Sequence, residues 1–309
     1  MTFPDFAYRV RWEVKIEQKE QLQLLFERVK QPNFFYRGMP NKSFIAITSF
    51  YRHYINKYSP PFVEQGISYN AHLKVTFPDI DEEHYITESF EIIDEFSHQL
   101  KRRGVSLELS LNTLIGLAQH YGLPTNLLDF TIDPLVALYF ATELDLWNEN
   151  EDCVVYESDI EMSTKIVANL ASEGRLGFFK HLSNPEEIYA HFMTSDRGIK
   201  REDRTTKAPI IQDIDIKFNH RISNQKGVFL YNPKSYPYDV EMYNVYDEPY
   251  CTPGRKVYVI AAHLKPYIRE FLSKNGINKQ YIYPNNEIDL NKSIIERAVR
   301  FTKAKLNIE

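Results

Sequence analysis

Apolar residues at helical spacing mark the first elements of the chain. Between 85 and 103, Ile86, Phe90, Ile93, Phe96 and Leu100 step by four, three, three and four positions, which builds one stripe along an amphipathic helix. A helix is also expected over 16–29, with Leu22, Leu25 and Val29 on one face and charges on the rest. A third covers 111–120. Ser110 suits its N-cap, Leu111, Leu114, Ile115 and Ala118 form its face, and Gly122 stands where a left-handed residue closes a helix. Asp133-Pro134 opens a fourth, with Asp as cap and Pro in the first turn. Its body, 134–141, is apolar all round, so it belongs at the centre of the fold. Further helices are expected over 186–192, over 266–274 (closed by Gly276) and over 288–299.

Short aromatic or β-branched runs predict strands at 34–38, 44–47, 153–156, 227–231 and 256–262. The stretch 123–132 reads as a loop. The polar stretch 55–83, with Pro60, Pro61 and Pro78, reads as a long irregular excursion. Strands and helices alternate irregularly, which favours an α+β fold over a strict βαβ one. The expected architecture is a single compact unit, 1–309, with short strands around the buried central helix. Its core elements run from about 20 to 300, with a more polar insertion over about 143–215. No repeat, heptad or Gly/Ser linker divides it.

Composition narrows the classes of function. The chain has 309 residues, 43% hydrophobic and 26% charged, enough to bury a sizeable core and too apolar to be mainly disordered. Lys and Arg number 37 against 42 Asp and Glu, a formal charge of −5, so no general field draws the protein to nucleic acid or anionic lipid. The six tyrosines between Tyr231 and Tyr250 suit either base stacking or packing on the core, and packing fits an acidic chain better. The two cysteines, Cys153 and Cys251, lack CxxC partners, and the nine histidines do not fall at ligand spacing, so no metal is expected. The N-terminus lacks the basic and apolar regions of a secretory signal, and no apolar run reaches the length of a membrane helix. The expectation is a cytoplasmic protein with no membrane partner.

Common catalytic motifs are absent: there is no GxGxxG, P-loop, GxSxG or HExxH. The chemistry concentrates in a block of polar residues between two apolar helices, Gln119-His120-Tyr121-Gly122-Leu123-Pro124-Thr125-Asn126-Leu127-Leu128-Asp129-Phe130-Thr131. A segment held between buried helices can fix polar side chains at a cleft.

This block, with Ala118 before it and Asp133-Pro134-Leu135-Val136-Ala137-Leu138-Tyr139-Phe140-Ala141 after it, resembles the signature of the FRG domain family. Phe34-Phe35-Tyr36-Arg37-Gly38 resembles the element that names the family. Two further stretches are similar to family elements: Asn219-His220-Arg221-Ile222 followed by Gln225-Lys226-Gly227-Val228-Phe229, and Asn275-Gly276-Ile277 followed by Tyr281-Ile282-Tyr283-Pro284. A looser similarity in the order of elements links the chain to ADP-ribosyltransferases. It implies NAD as co-substrate and places Arg37, Thr131 and Gln225 at the matching positions, with Gln225 where those enzymes carry a catalytic Glu. Tyr36, Gly38 and Tyr121 join Arg37 as candidate nucleotide contacts, and His120 and Asp129 join the candidate catalytic set. Asp129 is the nearest acid in sequence able to replace the missing Glu, with Glu241 and Glu248 behind it.

The physical logic is independent of the resemblance. Cleaving the nicotinamide–ribose bond builds positive charge on the ribose, which a carboxylate stabilises and a glutamine does not. A guanidinium is planar, permanently charged and bidentate, which suits a diphosphate. Gly38 would let the backbone come close to the nicotinamide amide. Each residue also has a structural reading. Arg37 and Asp129 could tie strand to loop, His120 could satisfy a helix end, Thr131 could bond locally, Asp133 could only cap, and Arg221 and Gln225 could serve buried backbone groups. The first functional reading is an FRG-domain enzyme of toxin or defence type acting on NAD. The alternative is a non-catalytic module that binds a nucleotide or nucleic acid.

Overall fold

A mixed sheet of seven strands organises the chain, in the order β1-β7-β4-β2-β3-β6-β5. The computed structural model describes residues 13–27, 34–44, 46–58, 80–105, 111–144, 148–159, 210–212, 223–231, 255–284 and 292–308. The strands are β1 (Glu13–Ile16), β2 (Phe34–Met39), β3 (Leu127–Thr131), β4 (Cys153–Asp159), β5 (Ile210–Gln212), β6 (Gly227–Tyr231) and β7 (Arg255–Ile260). β1 runs parallel to β7 and every other pair is antiparallel. The fold is α+β.

The helices are α1 (Gln23–Phe26, entered through a 3-10 turn at Lys19–Leu22), α2 (Ser49–Tyr58), α3 (Glu82–Arg102), α4 (Leu111–His120), α5 (Pro134–Thr142), α6 (Lys265–Lys274), α7 (Lys279–Ile282) and α8 (Lys292–Leu306). Asp81 caps α3, accepting from the Glu83 and His84 amides at 3.0 and 3.1 Å. Asp133 caps α5 through the Leu135 amide at 2.9 Å, with Pro134 in the first turn. Gly122 and Gly276 take φ of 79° and 78° just past α4 and α6.

Helix α5 is the central buried helix. Val136, Ala137, Leu138 and Ala141 are fully buried, and the helix lies on β2. Gly38 makes this approach possible: a Cβ there would lie 1.8 Å from the Ala137 carbonyl oxygen. Tyr36, Cys153, Val155, Tyr258 and Ile260 join α5, α1 and α6 in one core. The alternate residues Met39, Val154, Tyr156 and Val257 form a separate cluster, as the period of two along a strand requires. A third core joins α2, α3, α4 and α8 to Leu127 of β3 and Phe229 of β6.

Several expectations need correction. Residues 123–132 are not a loop throughout, because Leu127–Thr131 is an inner strand. Four of its five residues are buried, so no alternation announces it. Residues 44–47 form no strand among those described. The chain turns at Asn41, whose carboxamide oxygen accepts from the Ser43 amide at 2.9 Å, and Thr48 then caps α2 through the Tyr51 amide at 3.0 Å. The helix expected over 16–29 is broken: Ile16 ends β1, and among the described residues of that span only Gln23–Phe26 is α-helical. The final helix runs beyond its expected end at 299, to Leu306. The helix expected at 186–192, most of the excursion 55–83, and Ser110, Val29, Arg221, Glu241 and Glu248 lie outside the described residues, as do Tyr236 through Tyr250. Among the described residues, no helix is long and apolar enough to cross a membrane.

Candidate functional site

The strand pairing brings three chain segments to one place. Tyr36 of β2 faces Thr131 of β3 across the ladder, and Thr131 faces Gly227 of β6. α5 then crosses β2, so its C-terminal end reaches the same region. The result is a cleft of about 460 Å³ lined by residues of β2, α4, β3, α5 and β6. That volume lies in the range of ordinary small-molecule sites.

Arg37, His120, Asp129, Thr131 and Gln225 all line this cleft, and so do Tyr36 and Gly38. Their roles in the fold differ. Arg37 is half-buried, and its Nη1 donates to the Asp129 carbonyl oxygen at 2.6 Å. The tie therefore runs to the Asp129 backbone and not to its carboxylate. The Asp129 side chain is exposed and accepts from Gln119 Nε2 at 2.7 Å. Gln119 is held in turn through its own amide oxygen, which accepts a short hydrogen bond from Thr125. His120 is half-buried at the end of α4, with its ring edge-on to Tyr121 at 5.0 Å.

Thr131 and Gln225 are committed to the fold. The Thr131 hydroxyl donates to the Gln225 carbonyl oxygen at 2.7 Å and accepts from the Asp133 amide at 3.0 Å. The Gln225 side-chain amide donates to the Ile282 carbonyl oxygen at 3.2 Å, while neighbouring Asn224 donates to the Tyr281 carbonyl oxygen at 2.8 Å. These bonds dock the turn before β6 onto α7. Lys226 completes the turn with φ of 44°, and its ammonium meets the capping carboxylate of Asp133 at 2.8 Å. Gly38 is needed for the approach of α5, whatever else the cleft holds. Tyr121 does not line the cleft: its ring packs against the helical core.

Two polar residues of the cleft were not among the site residues expected from the sequence: Gln119, named only as part of the polar block, and Glu143. Glu143 is the first charged residue after α5 and forms its C-cap. A carboxylate at a helix C-terminus is opposed by the helix dipole, so helix stability does not explain it there. Tyr283 donates to Glu143 Oε2 at 3.4 Å. The Tyr139 phenol is pushed up to about 12 by burial, with the nearby Glu143 charge adding to the effect. Asp129 and Glu143 thus line the cleft together with Arg37. Among the described residues no group of three His, Cys, Asp or Glu side chains could hold a metal ion.

Residues 32–150 match the model of the FRG domain family. No curated protein and no solved structure matches the chain. The matched segment supplies Arg37, Gln119, His120, Asp129, Thr131 and Glu143, whereas Gln225 lies beyond it.

Proposed function

We propose that this FRG-domain protein binds a nucleotide-like ligand, NAD foremost, in the cleft and cleaves its nicotinamide–ribose bond. The observation that carries this reading is the convergence of Arg37, Asp129 and Glu143 on one cavity of about 460 Å³. In such a reaction the C1′–N bond breaks and its electron pair leaves with the nicotinamide nitrogen. Positive charge develops at C1′, and a water or an acceptor group adds there and loses a proton. A carboxylate beside C1′ stabilises the developing charge. Asp129 and Glu143 are the candidates for that role, because Gln225 carries no charge and its amide is bonded to the Ile282 carbonyl. Arg37 supplies the fixed positive charge for the phosphates. The hydrogen bonds that hold Thr131 and Gln225 favour a second reading, a pocket that binds nucleotide without turnover.

The test is to incubate the pure protein with NAD, measure nicotinamide release, and follow thermal stabilisation by NAD and ADP-ribose. Release that disappears in Asp129→Asn or Glu143→Gln supports the enzyme. A thermal shift without release supports the binding module. No shift and no release with either ligand at millimolar concentration rejects both.

A further inference from the structure

A second cavity of about 340 Å³ adjoins the first and shares Arg37, Gln119 and Asp129 with it. Those three residues line both cavities. Beyond them the charges differ. The first cleft adds Glu143, whereas the second adds Arg52 and no further acid. Arg52 is exposed in the first half of α2, and it forms no ion pair among the described residues.

The position of Arg52 is set by a rigid joint. The Thr125 amide donates to Ser49 Oγ at 3.0 Å, Ser49 Oγ donates to the Thr125 carbonyl oxygen at 3.2 Å, and the Phe50 amide donates to the same oxygen at 3.0 Å. The start of α2 is thereby fixed to the segment leading into β3, which carries Asp129 at its centre. Phe50 beneath it is fully buried and packs edge-on to Tyr85 at 4.8 Å.

We infer that the second cavity is an anion subsite, in which Arg37 and Arg52 hold the phosphate or diphosphate of the ligand. The carboxylates Asp129 and Glu143 then face its cationic end. This rests on the reading of the first cleft as a nucleotide site, and it gives the ligand a direction: phosphates toward α2, the reacting ribose toward α5. Two guanidiniums on one small cavity suit the oxygens of a diphosphate, which accept charge-assisted hydrogen bonds from a planar fork.

The experiment compares inorganic pyrophosphate, ADP-ribose and nicotinamide riboside on the full chain by calorimetric titration. The wild type is set beside Arg52→Glu and Arg52→Lys, with melting temperatures as a control for folding. Arg52→Glu should weaken pyrophosphate and ADP-ribose by about tenfold or more, the scale expected for a lost charge-assisted contact. Nicotinamide riboside, which has no phosphate, should bind Arg52→Glu as it binds the wild type. Arg52→Lys should fall between, because it keeps the charge and loses the fork. A wild type that does not bind pyrophosphate overturns the subsite. So does an Arg52→Glu protein that binds pyrophosphate unchanged, even if NAD is still cleaved and the catalytic reading stands. Arg52-dependent pyrophosphate binding without nicotinamide release keeps the subsite and rejects the cleavage.

Discussion

Replacing Gly38 by alanine would put a methyl carbon 1.8 Å from the Ala137 carbonyl oxygen and 2.7 Å from the Ala141 amide nitrogen. Both neighbours are backbone, so no side chain can swing aside. Either α5 lifts from β2 or the strand bends, and overpacking of this kind costs about 1–3 kcal/mol. Gly38→Ala should lower the melting temperature by several degrees whether or not ligand is present. A variant that melts with the wild type would mean that α5 does not lie this close to β2. Gln225 gives the opposite kind of test. Gln225→Glu restores the acid that an ADP-ribosyltransferase comparison expects, yet it removes the donor to the Ile282 carbonyl and sets a carboxylate against that oxygen. The expected result is a loss of about 1–3 kcal/mol in stability, measured by urea unfolding, with no gain in nicotinamide release. A stable variant that cleaves NAD faster would return the catalytic role to position 225.

Two elements that frame the central helix can be tested through their ionisable groups. Arg269 of α6 donates to Glu149 at 3.0 Å through Nη1 and also through Nη2, and to the Thr142 carbonyl at the end of α5 at 3.1 Å. The Arg269 hydrogen bond holds the Glu149 carboxyl below its ordinary range. A carboxyl whose pKa is lower folded than unfolded stabilises the fold above the unfolded value, and that stability is lost as pH falls through the folded one. Wild type should therefore lose stability more steeply than Glu149→Gln as pH is lowered from about 5, near the ordinary carboxylate range. Parallel slopes in urea unfolding would show that the pair contributes nothing, and partial exposure keeps the expected difference small. Cys153 at the start of β4 is fully buried, and burial pushes its thiol up to about 12. In a Cys251→Ser background it should resist a thiol reagent at pH 8 until denaturant is added, and native-state labelling would mean that β4 opens. The elements legible in the sequence are those whose signal is local. α3 has a continuous stripe, α4 a closing glycine and α5 a cap followed by proline. β3 was not legible, because Leu127, Leu128, Phe130 and Thr131 are all buried and only Asp129 is exposed. β1 was missed, with Glu13 to Lys15 given no element and Ile16 placed at the start of a helix, because a strand of four residues is too short to show a period. α2 was overlooked although Phe50, Tyr51, Tyr54 and Ile55 share a helical face, because tyrosine-rich positions resemble a strand as readily.

At the scale of the molecule, the polar block 119–131 pointed to His120 and Asp129 because its residues stand out against apolar flanks, and Arg37 stood out at the end of the aromatic run 34–36. Glu143 did not stand out: it enters the cleft only because α5 crosses β2, and no local pattern announces a crossing. The same long-range dependence limits what the FRG segment can be by itself. Its two strands, β2 and β3, meet each other at a single paired position, Tyr36 with Thr131. Every residue of β2 from Phe34 to Met39 pairs with β4, Tyr36 included, and every residue of β3 pairs with β6. Both partner strands lie outside residues 32–150. Cut at those limits, the segment would present two nearly unpaired strands and an α5 stripped of Cys153, Val155, Ile260 and Ile268, which share its core. Exposed edges and an uncovered apolar helix favour aggregation over folding. A fragment of residues 32–150 should therefore show no cooperative thermal transition by circular dichroism and no protected amides in β2 or β3 by hydrogen exchange, whereas the full chain shows both. A fragment that melts cooperatively and protects those amides would make the FRG segment an autonomous domain, with β4, β6 and β7 serving only to extend its sheet.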